Sequence, residues 1–189
     1  IGAILYCSVY TRPDVAYATG MLCRAMSKPT PALYAAGLQV VAYLGIHKQV
    51  GLRYEPDQVP LSGMTDSDWA VKHSTTGWMY KYNSAAISWS SKKQNSVALS
   101  SCEAEIMAAS EAAKEALYLN RFLEEFDLRS PDPLPLGSDN QGAVDLAYNP
   151  EHHQRTKHIE RRHFFIREAV ERLEIRVPFV RTADNLADF

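Results

Sequence analysis

Four acidic residues, Asp66, Glu105, Asp139 and Asp188, are spaced so that each falls on a different element of the chain. Asp66, in Thr-Asp-Ser-Asp-Trp-Ala, closes an expected strand, and Asp139, in Gly-Ser-Asp-Asn-Gln, closes another. Glu105 lies in the first turns of an expected long helix, and Asp188 opens the last helix after the final strand. Carboxylates that converge repel one another and need a neutralising partner. Hard divalent cations, which take oxygen ligands and keep positions open, are the natural one. Two such ions a few Å apart steady both the attacking and the leaving oxygen of an in-line phosphoryl displacement. Taken singly, each acid reads more simply as a strand-end turn residue or a helix cap. The order Asp, Glu, Asp, Asp on separate elements is what points to a metal cage.

Those elements follow from the hydrophobic pattern. Ile1–Tyr10 is an apolar run, and Thr11 is a candidate cap for a helix entered through Arg12-Pro13-Asp14. Val15, Ala18, Leu22 and Ala25 keep helical spacing, Pro29-Thr30-Pro31 breaks it, and Leu33, Gly37, Val40 and Leu44 form the next stripe. Residues 1–50 therefore read as a helical segment, and 51–60, with Gly51, Pro56, Asp57 and Pro60, as a linker. Beyond it the period shortens. Leu61–Asp66, Gly77–Tyr82 and Ala85–Ser90 read as strands, with Asn83-Ser84 as a hairpin turn between the second and third. A long helix follows, capped by Ser100 or Ser101, with Glu103 in its first turn and apolar positions running toward Phe126. Leu134–Ser138 and Glu174–Val180 read as strands, Gln141–Tyr148 and Ile159–Leu173 as helices, and Ala183 starts a last helix. The expected fold is α/β: a five-stranded mixed sheet of three antiparallel and two parallel strands, flanked by helices. Ligands of such a sheet gather beyond the carboxyl ends of its strands.

Composition narrows the classes. Among 189 residues, 46% are apolar and 10% aromatic, which excludes disorder, and 9 Gly with 10 Pro exclude a collagen-like chain. Arg12, Pro13 and Asp14 interrupt the apolar start, so no membrane partner is expected. Cys7, Cys23 and Cys102 form no CxxC pair, which fits a reducing compartment. The chain begins at Ile1, ends after Ala-Asp-Phe, and reads as a piece of a longer one. A net charge of −2 argues at first against a nucleic-acid partner. It hides an uneven distribution, however: residues 61–151 hold 13 Asp/Glu against 7 Lys/Arg, while 152–167 hold 5 Lys/Arg against 1 Glu, with four histidines. The acidic side of the balance includes the proposed cage, and the basic side is grouped where a phosphate backbone could lie.

The sequence resembles the ribonuclease H domain of copia-type retrotransposon polyproteins. The segments that carry the resemblance are Thr11-Arg-Pro-Asp-Val-Ala, Asp66-Ser-Asp-Trp-Ala, Ala86-Ile-Ser-Trp-Ser-Ser-Lys-Lys-Gln, Ala98-Leu-Ser-Ser-Cys-Glu-Ala-Glu-Ile-Met-Ala, Asp139-Asn-Gln-Gly-Ala, Arg155-Thr-Lys-His-Ile and Asp184-Asn-Leu-Ala-Asp. They span nearly the whole chain in family order. The resemblance implies a ribonuclease H fold, a reverse transcriptase neighbour in the same polyprotein, and cleavage of the RNA strand of an RNA–DNA hybrid. It implies two Mg²⁺ ions, with Mn²⁺ as a substitute. It makes 1–50 the tail of the reverse transcriptase, at its thumb or connection, and 61–189 the nuclease domain, cut within its last helix. It places the chain in the cytoplasm, within a retrotransposon particle, or in the nucleus, and leaves its oligomeric state open. Asp66 corresponds to the first catalytic acid and Asp139 to the third. Glu105-Ile-Met-Ala fits the family's Glu-x-x-Ala, with Glu103 as its competitor. The two stand about 200° apart on a helix and cannot both face the metals. Asp68 is the alternative to Asp66, and Asp188 is preferred over Asp184, which reads as a cap or supporting group.

One feature departs from the cellular ribonucleases H, which carry a mobile His before the last helix. Here that loop is Arg181-Thr182-Ala183, and His158 or His163 would have to stand in. Zinc binding by the histidines is disfavoured, because no Cys pair lies nearby. A hybrid is held by its phosphates and recognised through 2′-hydroxyls in a shallow minor groove. Lys92 and Lys93, following the third strand, are candidates for phosphate, and Arg155 and Lys157, with Arg161 and Arg162, form a second basic patch. Ser101, Asn140, Gln141 and His158 complete the substrate candidates. Trp78 and Trp89 read as core, whereas Trp69 could stack on a nucleotide. The rival reading is a catalytically inactive remnant or a hybrid-binding module.

Overall fold

The computed structural model describes residues 1–56, 59–70, 72–128, 133–148 and 160–188, without the side chains of Glu160, Arg161 and His163. Arg155, Lys157 and His158 lie outside the described residues. The elements in chain order are α1 (Gly2–Tyr10), α2 (Ala16–Arg24), α3 (Pro31–Ile46), β1 (Ser62–Asp68), β2 (Thr75–Tyr82), β3 (Ala85–Lys93), α4 (Ser101–Glu124), β4 (Leu134–Gly137), α5 (Gln141–Tyr148), α6 (Glu160–Glu171) and β5 (Ile175–Arg176). The five strands form one sheet in the order β3-β2-β1-β4-β5. β1, β2 and β3 pair antiparallel, and β4 is parallel to both β1 and β5. The expected meander and its two parallel additions are therefore present.

The hairpin between β2 and β3 turns on Asn83 and Ser84, both at positive φ (48° and 65°), as a two-residue turn with the twist of its strands demands. Helix α4 covers the sheet. Ala104, Ala108, Ala112, Ala113 and Ala116, at 0% exposure, let its backbone approach the strands closely. Tyr80, fully buried on β2, lies over Gly63 of β1, where a Cβ would come within 2.2 Å of its ring. Its hydroxyl donates to Ala112 O at 2.6 Å, pinning the middle of α4 to the sheet. Leu61, Ile106, Leu134, Leu136, Ile166 and Ile175 fill the core between sheet and helices. No helix among the described residues is long and apolar enough to cross a membrane.

Several boundaries differ from those read in the sequence. β1 runs on to Asp68, so Asp66 lies inside the strand, and β3 runs on to Lys93, so Lys92 and Lys93 are strand residues. Ladder pairing explains both extensions: Ser67 and Asp68 find partners in Thr76 and Thr75, which also pair with Lys92 and Lys93. β5 is only two residues, followed by an isolated bridge between Ser138 and Phe179. Pro178 has no N–H to give to a ladder, and its carbonyl accepts instead from Ser138 N at 3.1 Å. Thr11 closes α1 through a bond to Cys7 O rather than capping the next helix, which begins after a 3₁₀ turn at Pro13–Val15. Past Ala183 the described residues form a 3₁₀ turn at Thr182–Asp184 and no α-helix. There the Asn185 side chain accepts from Ala187 N at 3.1 Å, a local turn that competes with helical bonding.

Helices α1 and α2 stand beside β3, and α3 packs against α2. Trp89 Nε1 on that strand donates to Ser8 O of α1 at 2.7 Å, and Gly20 of α2 lets the backbone approach Ser91 O. Helix α3, capped by Thr30, has no buried residue despite its apolar sequence.

Candidate active site

Strand register explains how Asp66 meets Asp139. β1 and β4 run parallel with Met64 opposite Gly137, so two residues further on each chain stand Asp66 and Asp139. Gly137 admits the Val180 side chain, since a Cβ there would lie 2.8 Å from it. Glu105 reaches the same place from above. Ser100 Oγ caps α4 by accepting from Glu103 N at 3.1 Å, while the Glu103 carboxylate accepts from Leu99 N at 2.7 Å. That reciprocal cap occupies Glu103 and leaves the inner face of the helix to Glu105. Buried Gln94 donates to Thr76 Oγ1 and Ala104 O, fixing the start of α4 against β2.

Ligand oxygens of Asp66, Glu105 and Asp139 lie within 4.8 Å of one another. Glu105 Oε1 accepts from Ser67 Oγ at 2.8 Å and Ser67 N at 3.2 Å, whereas its buried Oε2 has no hydrogen-bond partner. Burial raises the Glu105 carboxyl to about 8; the charges of Asp66 and Asp139 push the same way, against the Ser67 bonds. Asp66 is raised to about 6, by burial first and then by Asp139 and Asp188. Three mutually repelling carboxylates with an orphaned buried oxygen are a donor set for a hard divalent cation. Oxygen-only ligands of this kind suit Mg²⁺ or Mn²⁺.

The triad opens into a pocket of about 470 Å³ also lined by Tyr17, Ser67, Asp68, Trp69, Thr75, Gly77, Ser91, Asn140, Ala187 and Asp188. Asp188 thus reaches the pocket without joining the close triad. It is held there by Asn185, a buried residue whose Nδ2 donates to Thr65 O of β1 at 3.1 Å. Asp184 is exposed in the 3₁₀ turn, so the supporting position falls one residue later than the sequence suggested.

The other sequence candidates separate. Asn140 lines the pocket, with its Oδ1 accepting from Ala143 N at 3.1 Å at the start of α5. Gln141 donates to Asp145 along α5 and does not line the pocket, nor does exposed Ser101. Lys92 and Lys93 are exposed and line a separate groove of about 110 Å³ together with Arg162, which donates to Ser96 Oγ. One member of the second basic patch thereby joins the first. Trp69 stands at the pocket mouth, Trp78 packs on the core, and Trp89 joins the sheet to α1. Sequence reasoning missed Tyr17, Ser67 and Asn185. Asn185 had a signal, being an Asn within Asp184-Asn-Leu-Ala-Asp. Tyr17, some fifty residues before Asp66, had none.

Comparison with known proteins places the chain. No protein-family model matches it. It is 38% identical, over its full length, to the retrovirus-related Pol polyprotein from transposon TNT 1-94 of Nicotiana tabacum. It belongs to the copia-type retrotransposon Pol polyproteins. A second such polyprotein, from transposon RE1 of Arabidopsis thaliana, is 35% identical, again over the full chain. This Pol segment spans only 14% and 13% of those two relatives. A shorter relative, secreted RxLR effector protein 161 of Plasmopara viticola, is 44% identical over 124 residues, covering 63% of this chain and 87% of that protein. Among solved structures, the foamy viral protease-reverse transcriptase with RNA/DNA hybrid matches 100% of this chain and 25% of its own, with TM-score 0.60 and 15% identity. The N-terminal ribonuclease H domain of a Mycobacterium tuberculosis protein matches 67% of this chain and 86% of its own, with TM-score 0.52 and 11% identity. The fold of this Pol segment is ribonuclease H-like.

Proposed function

We propose that this Pol segment is a ribonuclease H that hydrolyses the RNA strand of RNA–DNA hybrids during reverse transcription. The observation that supports it most directly is the triad: Asp66, Glu105 and Asp139, from three elements, within 4.8 Å, with one buried oxygen unpartnered. Asp66, Glu105, Asp139 and Asp188 would hold two Mg²⁺. Bound there, the ions would activate water and stabilise the departing 3′-oxygen, giving 5′-phosphate and 3′-hydroxyl ends. The protein's own part is to keep three carboxylates close together with Asp188 on the pocket wall, which costs repulsion that core packing offsets. Ser67 orients Glu105, and Asn185 orients Asp188.

Lys92, Lys93 and Arg162, which line a groove of their own, would take phosphates of the hybrid, with Arg155, Lys157 and His158 as further contacts. Asn140, on the pocket wall, suits a 2′-hydroxyl or base edge, while Ser101 and Gln141 would meet the strand outside it. Residues 1–50 would be the tail of the reverse transcriptase, with which this unit shares its polyprotein. The decisive measurement is hybrid cleavage with and without Mg²⁺ by the wild type and Asp66→Asn. Mg²⁺-dependent cleavage by the wild type alone is expected. Equal activity of the two would overturn the reading, and tight hybrid binding without cleavage would make the unit a binding module.

A further inference from the structure

The pocket has one wall from outside the sheet unit. Helix α2 lies across the end of β3, where a Cβ on Gly20 would come 3.3 Å from Ser91 O. Arg24 Nη2 donates to Thr75 Oγ1 at 3.2 Å, tying the far end of the helix to the first residue of β2. Between these anchors and the acids stands Tyr17. It is half-buried, lines the pocket, and its hydroxyl donates to Asp68 Oδ2 at 3.4 Å. Trp69 lines the same pocket, 47% exposed, with its indole N–H donating to Ala98 O at 3.3 Å.

A packing role alone does not account for Tyr17. Ala16, Thr19 and Leu22 are the buried residues of α2, and Tyr17 points its polar end at the acidic strand end instead. Two aromatic rings at the mouth of a carboxylate pocket offer flat faces to a base or sugar, and stacking of this kind tolerates any sequence. The phenol oxygen adds an acceptor within reach of a hydroxyl. We infer that Tyr17, contributed by the helical segment that precedes the nuclease unit, is a substrate-positioning residue. Together with Trp69 it holds the nucleotide beside the bond to be cut. This rests on the hybrid-nuclease reading. It adds that the site is complete only with α2 docked, so the preceding segment sets how tightly a strand is held.

The test is steady-state hybrid cleavage by the full chain. Tyr17→Ala should raise KM about tenfold, the size of one lost stacking partner, with kcat and Mg²⁺ dependence within twofold of wild type. Tyr17→Phe should keep most of the affinity, and Tyr17→Leu, which fills the volume without a flat ring, should behave like Tyr17→Ala. Gly20→Val, which pushes α2 off Ser91, should raise KM with Tyr17 still present. An unchanged KM in Tyr17→Ala and Tyr17→Leu would overturn the inference, as would a fall in kcat with KM unmoved. If the wild type cuts no hybrid, the nuclease reading fails by itself. Fluorescence anisotropy of a labelled hybrid then decides the inference: about tenfold weaker binding by Tyr17→Ala supports it, and equal binding refutes it.

Discussion

Asp66, Glu105 and Asp139 hang from β1, α4 and the end of β4, the elements that build the core, whereas Asp188, Asp68, Tyr17 and the Lys92–Lys93 pair hang from a terminal loop, a strand end and a helix outside the sheet. The inner three are held by ladder register, by a stripe of fully buried alanines and by Tyr80 bonded to Ala112. Of the outer group, Asp68, Lys92 and Lys93 sit at the very ends of their ladders, and Asp188 and Tyr17 depend on single hydrogen bonds, Asn185 to Thr65 and Tyr17 to Asp68. The difference is physical. Like charges stay within a few Å only where the scaffold cannot relax, so the cage needs the core. Groups that meet a large, variable substrate gain from adjustability, and loops and neighbouring helices supply it.

Glu105→Gln strikes the inner group and should have the largest effect. It removes a charged ligand while keeping shape, and hybrid cleavage should fall by at least about 100-fold. Its effect on stability should be opposite in sign. Glu105 titrates at about 8 in the fold against an ordinary 4.5, and Asp66 is raised in the same direction. A raised carboxyl binds its proton more tightly when folded, so its contribution is complete below the ordinary value and is lost as pH rises through 8. In Mg²⁺-free buffer the wild type should therefore melt at lower temperature at pH 8.5 than at pH 5.5. Glu105→Gln should melt higher than wild type at pH 8.5, by on the order of 5 °C, and match it near pH 4. Calorimetry across that range checks both signs, and Mg²⁺ should narrow the gap.

A smaller loss is expected from Asn185→Ala, which frees the loop that carries Asp188 from β1. Mg²⁺-supported cleavage should drop about tenfold, as when the support of a metal ligand is removed, with hybrid affinity unchanged. A drop as deep as that of Glu105→Gln would erase the distinction between cage and rim. The smallest effect belongs to Lys92→Ala combined with Lys93→Ala. Binding should weaken a fewfold, and the slope of log affinity against log salt should flatten by roughly one to two. A salt titration of hybrid binding measures it. An unchanged slope would remove these lysines from the phosphate path.

Much of this was legible in the residues, for reasons that differ by element. The meander could be read because Trp78, Tyr80 and Tyr82 alternate and Asn83, a residue that tolerates positive φ, opens the two-residue turn. The long helix could be read from a cap at Ser100 or Ser101, from Glu103 and from the apolar positions running from Ile106 toward Phe126. Choosing Glu105 over Glu103 rested on the fit of Glu105-Ile-Met-Ala to the family's Glu-x-x-Ala; helical geometry allowed only one of the two to face the site, and the cap explains why Glu103 is not available. The last strand was misjudged because the Pro178 carbonyl pairs with Ser138, far away in sequence, and the last helix because the Asn185 side chain closes a local turn on Ala187 and ties it to Thr65. Helix α3 misled in another way: its apolar stripe implied burial, yet none of its residues is buried among the described ones.

By itself the sequence determined the local chemistry: strand periods, turn residues, the helix cap, and which side chains could carry charge at an edge. Those are set by interactions among residues a few positions apart. Only the tertiary structure decided that Met64 pairs with Gly137, which puts Asp66 beside Asp139, and that α4 lies close enough for Glu105 to reach Ser67. It alone decided that Tyr17 faces the same pocket. Register between distant strands and the approach of one packed surface to another are properties of the whole core, and no short stretch of residues contains them.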